Sequence, residues 1–278
     1  MLFQSLPIEV LHTICYYLTG PDITNLSKCN QALWVVLQDE SLWAQLTYDR
    51  FPSSYASIRA DQRQQDHDDN NNTLQKKNWQ DVYMSKDSLS ISAVNDMSIT
   101  NARLPFWRVV GTKESRYGAI AKLYSICMLD IRGKMEGVPK GRYRIQWRMR
   151  FTLSAQWNES LDFTAHVGNE ATPTLTYTTP TDFYARQDIL TNTWICITLP
   201  CELVVNNRYD TITLVHGKKT NFWKSGIEID WARLVPSTQV QDKGLVLEHE
   251  YKHWHLDKKI ASTTAYSCMR RHLGSTNF

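Results

Sequence analysis

The sequence predicts a multidomain α plus all-β chain, a small helical unit followed by an antiparallel β-sandwich. Three observations carry that expectation. Apolar residues recur at spacings of three and four through the first fifty positions; residues 59–77 are almost wholly polar; and from about residue 89 short runs alternate with a period of two. The expected boundaries are 1–51 for the helical domain, 52–88 for a polar linker with short helices, 89–240 for the sandwich and 241–278 for a charged extension.

Ile8, Leu11, Ile14, Cys15 and Leu18 mark one face of a first short helix. Pro7 suits its first turn, and Gly20-Pro21 ends it. Asp22 is expected to cap a second helix carrying Ile23 and Leu26. The run from Ala32 to Leu37 is a third apolar segment, and Leu42, Trp43 and Leu46 follow Asp39-Glu40-Ser41 as a fourth. A unit of some fifty residues is short of core, so docking against another surface should stabilise it. The stretch RADQRQQDHDDNNNTLQKK has the composition of a solvated linker, with a polar helix possible at its start. Order is expected to resume near Trp79, with Trp79, Val82 and Tyr83 on one helical face.

The clearest strand is RYRIQWRMRF at 142–151. Tyr143, Ile145, Trp147, Met149 and Phe151 point one way and Arg142, Arg144, Gln146, Arg148 and Arg150 the other. Further strands are expected at 125–135, 161–167, 193–199, 209–217 and 226–234, separated by Gly, Pro and Asn turns. Crossover helices of the kind a parallel sheet needs are absent from this region.

Composition bounds the function. With 10 Trp, 13 Tyr and 8 Phe in 278 residues the chain can bury substantial apolar area. Its net charge of +3 leaves nucleic-acid binding to local patches alone. No apolar run approaches the length of a membrane span, and the N-terminal stretch lacks a cationic start for a secretory signal. The six cysteines lie far apart among apolar neighbours, which favours reduced, buried thiols and a cytoplasmic or nuclear location. Neither a phosphate-cradling Gly-rich loop nor G-x-S-x-G, H-E-x-x-H or C-x-x-C occurs, so no enzyme, metal or cofactor is expected. The histidines of EHEYKHWHLD at 248–257 do not converge in either helical or extended geometry. The arginines at 142, 144, 148 and 150 form one ridge, read as a solvated or acid-paired strand face rather than a track for phosphates. Asp130 and Arg132 read as a fixed ion pair.

Residues 6–51 resemble an F-box. The landmarks are Leu6-Pro7, Glu9, Leu11, Ile14, Leu18, Asp22, Ile23, Leu26, Cys29, Leu37 and the closing Ser41-Leu42-Trp43. Asn30 stands where the family usually has an arginine, and the tryptophan that follows is Trp34. The resemblance implies docking on the Skp-type adaptor of a cullin-RING (SCF-type) ubiquitin ligase, through Leu6, Pro7, Ile8, Leu11, Ile14, Leu26, Leu42 and Trp43. The apolar cluster at the start of this segment independently asks for a covering surface, either a partner or the chain's own second domain.

Residues 97–236 resemble the lectin domain of the plant phloem-protein-two (Nictaba-type) proteins. MSITNARLPFWRVV, LYSICMLDIRGKMEGVPKGRYRIQWRMRF, TWICITLP and NFWKSGIEIDWARLVP carry the likeness in order. It implies a jelly-roll sandwich that binds glycans of the N-acetylglucosamine or N-glycan-core type. Asn101 occupies a position where those lectins carry a tryptophan, whereas the second aromatic, Trp107, is present. The ligand-binding candidates are Asn101, Phe106, Trp107, Trp223, Lys224 and Ser225, with structural packing as the alternative role of Trp107 and of the Trp223 cluster. Trp147 and Trp231 belong to the core. Together the two resemblances imply a substrate receptor whose cargo is a protein or glycoprotein. The alternatives are a sandwich that recognises a protein degron, and a free lectin without ligase role.

Overall fold

The computed structural model describes residues 7–67, 78–156, 160–181, 183, 192–242, 244–250 and 269–272. The chain forms two compact units. One comprises Met1–Leu89 with Glu136–Val138, the other Ser90–Met135 with Pro139–Phe278.

The first unit is helical, with α1 (Ile8–Tyr16), α2 (Gly20–Lys28), α3 (Gln31–Leu37), α4 (Glu40–Arg50), α5 (Pro52–His67) and α6 (Trp79–Asp87). Short polar side chains start four of these helices by accepting otherwise orphaned backbone N–H groups. Thr19 accepts from Asp22 (3.3 Å), Asn30 from Ala32 (2.7 Å), Asp39 from Ser41 (2.9 Å) and Asn78 from Asp81 (3.1 Å). The Ser41 amide and hydroxyl hold the Asp39 carboxyl below its ordinary range. The cap of α2 is thus Thr19 and not Asp22. Proline lacks an N–H and fits a first turn, so the helix starts upstream of Pro21 and leaves Asp22 inside it, where its carboxylate accepts the Thr19 hydroxyl (2.6 Å).

Leu11, Cys15, Ile23, Leu33, Leu37, Leu42, Trp43, Leu46 and Phe51 form one core, and α6 adds Trp79 and Tyr83 to it. Tyr83 meets Trp43 and Phe51 edge-on, at ring separations of 5.3 and 5.4 Å. Trp79 and Tyr83 do share a face, with Val82 packed against the same core. The segment that reads as linker is therefore helical at both ends and contributes to the core; residues 68–77 lie outside the described ones. Polar contacts pin α6 as well. The Trp79 amide donates to Glu40 (2.7 Å), and the buried Arg50 guanidinium meets the Asp87 carboxylate and donates to the Tyr83 hydroxyl (2.9 Å). Burial pushes the Cys15 thiol up to about 11, so it is inert as a nucleophile at neutral pH.

The second unit holds β1 (Ser90–Ser92), β2 (Met97–Ile99), β3 (Trp107–Gly111), β4 (Ala119–Leu123), β5 (Ile126–Gln156), β6 (Asp162–Val167), β7 (Leu175–Thr178), β8 (Trp194–Pro236), β9 (Val246–Glu250) and β10 (Met269–His272). Laid straight, a strand as long as β8 would span roughly 140 Å, several times a domain's width. The ribbon instead turns back on itself, and successive stretches find different partners. Trp194–Thr198 pairs with β9, Ile212–Gly217 with β6, Glu228–Ile229 with β4 and Trp231–Arg233 with β1, all antiparallel. Gly226 permits a close approach of this ribbon to β5. Its φ is +75°, and a Cβ there would lie 2.6 Å from the Ala155 Cα.

Every predicted strand falls within these elements, and the architecture is a β-sandwich. Ile145, Trp147, Met149 and Phe151 are buried in its core together with Phe163, Ile197, Leu199, Ile212 and Leu214, and Trp147 meets Phe163 at a ring separation of 5.8 Å. Trp147 and Trp231 are both buried, as their alternation with polar neighbours predicts. Among the described residues the cysteines are free thiols.

The arginine face of β5 is acid-paired, one of its two expected states, but most of it is buried rather than solvated. Residues 143–149 are buried without interruption, Arg144 and Arg148 included. Arg148 pairs with the buried Asp230, and Arg150 with Glu114 and Glu228. Both guanidiniums stack on Trp194, at 4.2 and 4.6 Å from its ring centre, while the indole N–H donates to Glu114 (3.0 Å). Arg144 donates to the carbonyls of Leu199, Asp242 (2.9 Å) and Gly244 (2.8 Å). Only Arg142 is exposed, and it meets Glu202. Alternation in one strand cannot reveal what neighbouring strands and the 112–118 turn lay over its polar side.

Candidate functional site

The helical unit places the expected docking residues at two depths. Leu11, Leu42 and Trp43 are buried in its own core, where they hold the fold rather than offer a surface. Ile14 and Leu26 are half-buried, Pro7 and Ile8 are exposed, and Leu6 lies outside the described residues. The apolar surface extends beyond the expected set. Val10 on α1 and Trp34 and Val35 on α3 are exposed, Trp34 by 52% and Val35 by 59%. Two adjacent large apolar residues in the open are unusual for a helix of seven residues, whose Leu33 and Leu37 suffice for its inward face. The sequence signal was available, since Trp34 and Val35 fall outside the three-and-four spacing that marks the buried side.

In the sandwich the six candidate ligand residues differ in exposure and in the roles their side chains already fill. Asn101 is exposed in a turn, with φ +58°, and its carbonyl accepts from the Arg103 amide (2.6 Å). Phe106 is half-buried. Trp107 is not a loop residue: it opens β3, opposite Leu123 of β4, and is buried. A ring fixed in that way cannot stack on a ligand. Trp223 is exposed by 60% beside an equally exposed Phe222. Lys224 is buried, and its ammonium donates to the Cys127 carbonyl (2.9 Å), the Phe222 carbonyl (3.0 Å) and the Thr220 hydroxyl (2.5 Å). It ties the ribbon to β5 and has no reach toward a ligand. Ser225 is half-buried.

A small cavity lies elsewhere in this unit, about 180 Å³ in volume. Its polar wall is Gln146 of β5, Thr198 and Arg233 of β8, Asp242, and Glu248 of β9; Val235, Val240 and Val246 supply apolar surface. The Arg233 guanidinium lies on the Trp231 ring (4.9 Å) and donates through Nε to the Gln146 carbonyl oxygen (2.6 Å). The Gln146 amide in turn donates to the Thr198 hydroxyl (2.7 Å). This relay orients Arg233. With Asp242 and Glu248 in the same lining, the walls combine donor and acceptor groups with valine surface, a composition that suits a small polyhydroxylated ligand. Sequence reasoning missed this site because its residues come from four separate stretches, each unremarkable alone.

Asp130 and Arg132 form the expected ion pair (2.9 Å), two residues apart on β5. No group of three His, Cys, Asp or Glu side chains able to hold a metal occurs among the described residues. No helix there is long and apolar enough to cross a membrane. The histidine cluster lies outside the described residues from position 251 onward.

Residues 86–236 match the Phloem protein 2 family. A relative from Arabidopsis thaliana, named F-box protein PP2-A15, is 26% identical over 167 residues, covering 53% of this chain and 54% of its own length. The chain thus spans about half the length of the curated relative it matches. Among solved structures, the CBM35 of Paenibacillus barcinonensis aligns over 52% of this chain and 97% of its own, at 12% identity and a TM-score of 0.31. A family 35 carbohydrate binding module from Clostridium thermocellum aligns over 53% and 98%, at 10% identity and a TM-score of 0.32.

Proposed function

The chain belongs to the Phloem protein 2 family, and we propose on that premise that it is a non-catalytic substrate receptor of an SCF-type ubiquitin ligase in the cytoplasm or nucleus. The helical unit holds the Skp-type adaptor, and through it a cullin. The sandwich holds cargo by a glycan. Joining the two raises the effective concentration of cargo lysines at the transfer machinery.

The observation that carries this reading is the exposure of Ile8, Val10, Trp34 and Val35 on a unit that already has a closed core. The name of the relative, F-box protein PP2-A15, supports it. Because Ile8 and Trp34 lie in the open, Ile8→Asp with Trp34→Asp should leave thermal unfolding unchanged. Co-purification with an adaptor should fall by about tenfold or more, the loss of ~1.4 kcal/mol or more. Undiminished capture by a folded double variant rejects the adaptor assignment.

For the glycan, the cavity around Arg233 is the place proposed to bind one sugar residue, since Trp107 and Lys224 are buried. On a glycan array the chain should retain N-acetylglucosamine oligomers or N-glycan cores. Arg233→Ala should lose that signal by about tenfold, whereas Trp223→Ala should keep it. A second reading, recognition of a protein degron, is favoured by the enclosure of Trp107 and by Asn101 in place of a ring. An array without a single retained glycan selects it.

A further inference from the structure

Among the described residues the sheet ends on a strand whose outer side has no partner. Among the described residues β3 pairs with β4 alone. The Tyr124 amide donates to the Phe106 carbonyl (2.8 Å) and the Thr112 amide to the Gly118 carbonyl (2.9 Å). In an antiparallel pair the bonded positions alternate, so Phe106, Arg108, Val110 and Thr112 turn toward β4. The N–H and C=O groups of Val109 and Gly111 therefore point away from the sheet. Val109 is 60% exposed, and Arg108 and Gly111 are exposed too.

Such an edge is normally blunted by proline, a bulge or a covering element. Trp-Arg-Val-Val is instead a run of strong strand formers without proline. Its protection is charge. Residues 103–113 contain Arg103, Arg108 and Lys113, all exposed, and no carboxylate. None of these three cations has an ion-pair partner among the described residues. A second copy of the chain would set this cationic edge against itself, and like charges across a ladder are destabilising.

We propose that the free edge of β3 captures an acidic, extended segment of a partner protein as an added strand. Its backbone bonds to Val109 and Gly111, and its carboxylates meet Arg103, Arg108 and Lys113. This deepens the reading of the sandwich as the cargo-binding half, on which it rests, by naming a peptide surface separate from the cavity. The test uses the purified full chain without adaptor or glycan, so failure of either of those assignments leaves its outcome unaffected.

A short fluorescent peptide of alternating valine and glutamate serves as the probe, with its valine–lysine counterpart as control, read by anisotropy. The acidic peptide should bind and the basic one should not, and added salt should weaken binding. Val109→Pro removes an outward N–H while sparing the ladder to β4, a position where proline is tolerated. That variant should keep its unfolding temperature and lose binding by about tenfold or more. Arg108→Glu with Lys113→Glu should lose it likewise and admit the basic peptide. The proposal is overturned if the acidic peptide does not bind, if both peptides bind alike, if folded Val109→Pro binds as before, or if the chain self-associates through this edge instead.

Discussion

Replacing Asp230 by alanine is expected to destabilise the sandwich by about 3–5 kcal/mol, the usual cost of stranding a buried charge. Arg148 is fully buried, and its guanidinium is placed by the Asp230 carboxylate on one side and the Trp194 ring on the other. Ser115 donates a further hydrogen bond to Asp230 (2.6 Å). Burial pushes the Asp230 carboxyl above its ordinary value, against the opposing pull of Ser115 and Arg148. The pair is therefore costly to desolvate as well as costly to break. Removing both charges, in Asp230→Leu with Arg148→Met, should restore much of what Asp230→Ala loses. Urea unfolding of the three chains, followed by circular dichroism, measures the difference. A loss below about 1 kcal/mol in the single variant would show that water reaches Arg148, and the sealed polar face would be refuted.

The second large effect concerns acid. His216 stacks on Phe163 (4.5 Å) and lies against Trp147 (5.7 Å), and its Nδ1 is 3.0 Å from the Asp162 carbonyl. Its Nε2 is buried without a hydrogen-bond partner. Burial is the main cause that lowers its pKa from 6.5 to about 4. The unfolded imidazole takes up a proton as pH falls through 6.5, while the native one stays neutral down to about 4. The unfolded state thus binds more protons across that window, and stability falls as pH falls. The difference of about 2.5 units corresponds to roughly 3 kcal/mol lost between pH 6.5 and 4. His216→Phe keeps the ring stack and removes the titration. Its stability should exceed that of the parent by a growing margin as the pH drops from 6.5 toward 4. Parallel curves for the two proteins over that range would mean the imidazole is hydrated.

Both effects arise at positions where local pattern and surroundings differ. In 142–151 the alternation of apolar and basic residues is legible, and the strand and its core face follow from it. The fate of Arg148 is not, because Asp230 and Trp194 lie 82 and 46 positions away and nothing within the strand names them. The same holds for the cavity, whose walls come from β5, two stretches of β8, and the segment leading into β9. Trp107 illustrates an open choice that contacts settle: the sequence allows ligand contact or packing, and the ring, on the first residue of β3, turns inward to pack. In the helical unit, spacing finds the inward face of α1, whereas the family resemblance implies a docking role for the closing Leu42-Trp43 and both fill the core.

By itself the sequence determined the order of a helical unit and a β-sandwich, the positions of the strongly alternating strands, the inward faces of the strongly periodic segments and the family resemblance. These depend on periods of 3.6 and 2, on turn residues and on ordered motifs, all properties of neighbouring positions. Only the tertiary structure decided which polar faces are sealed, where a cavity opens, which tryptophans are exposed and which strand ends the sheet. Those depend on contacts between segments distant in the chain, and burial of a polar group is favourable only when such a segment brings its hydrogen-bonding partner.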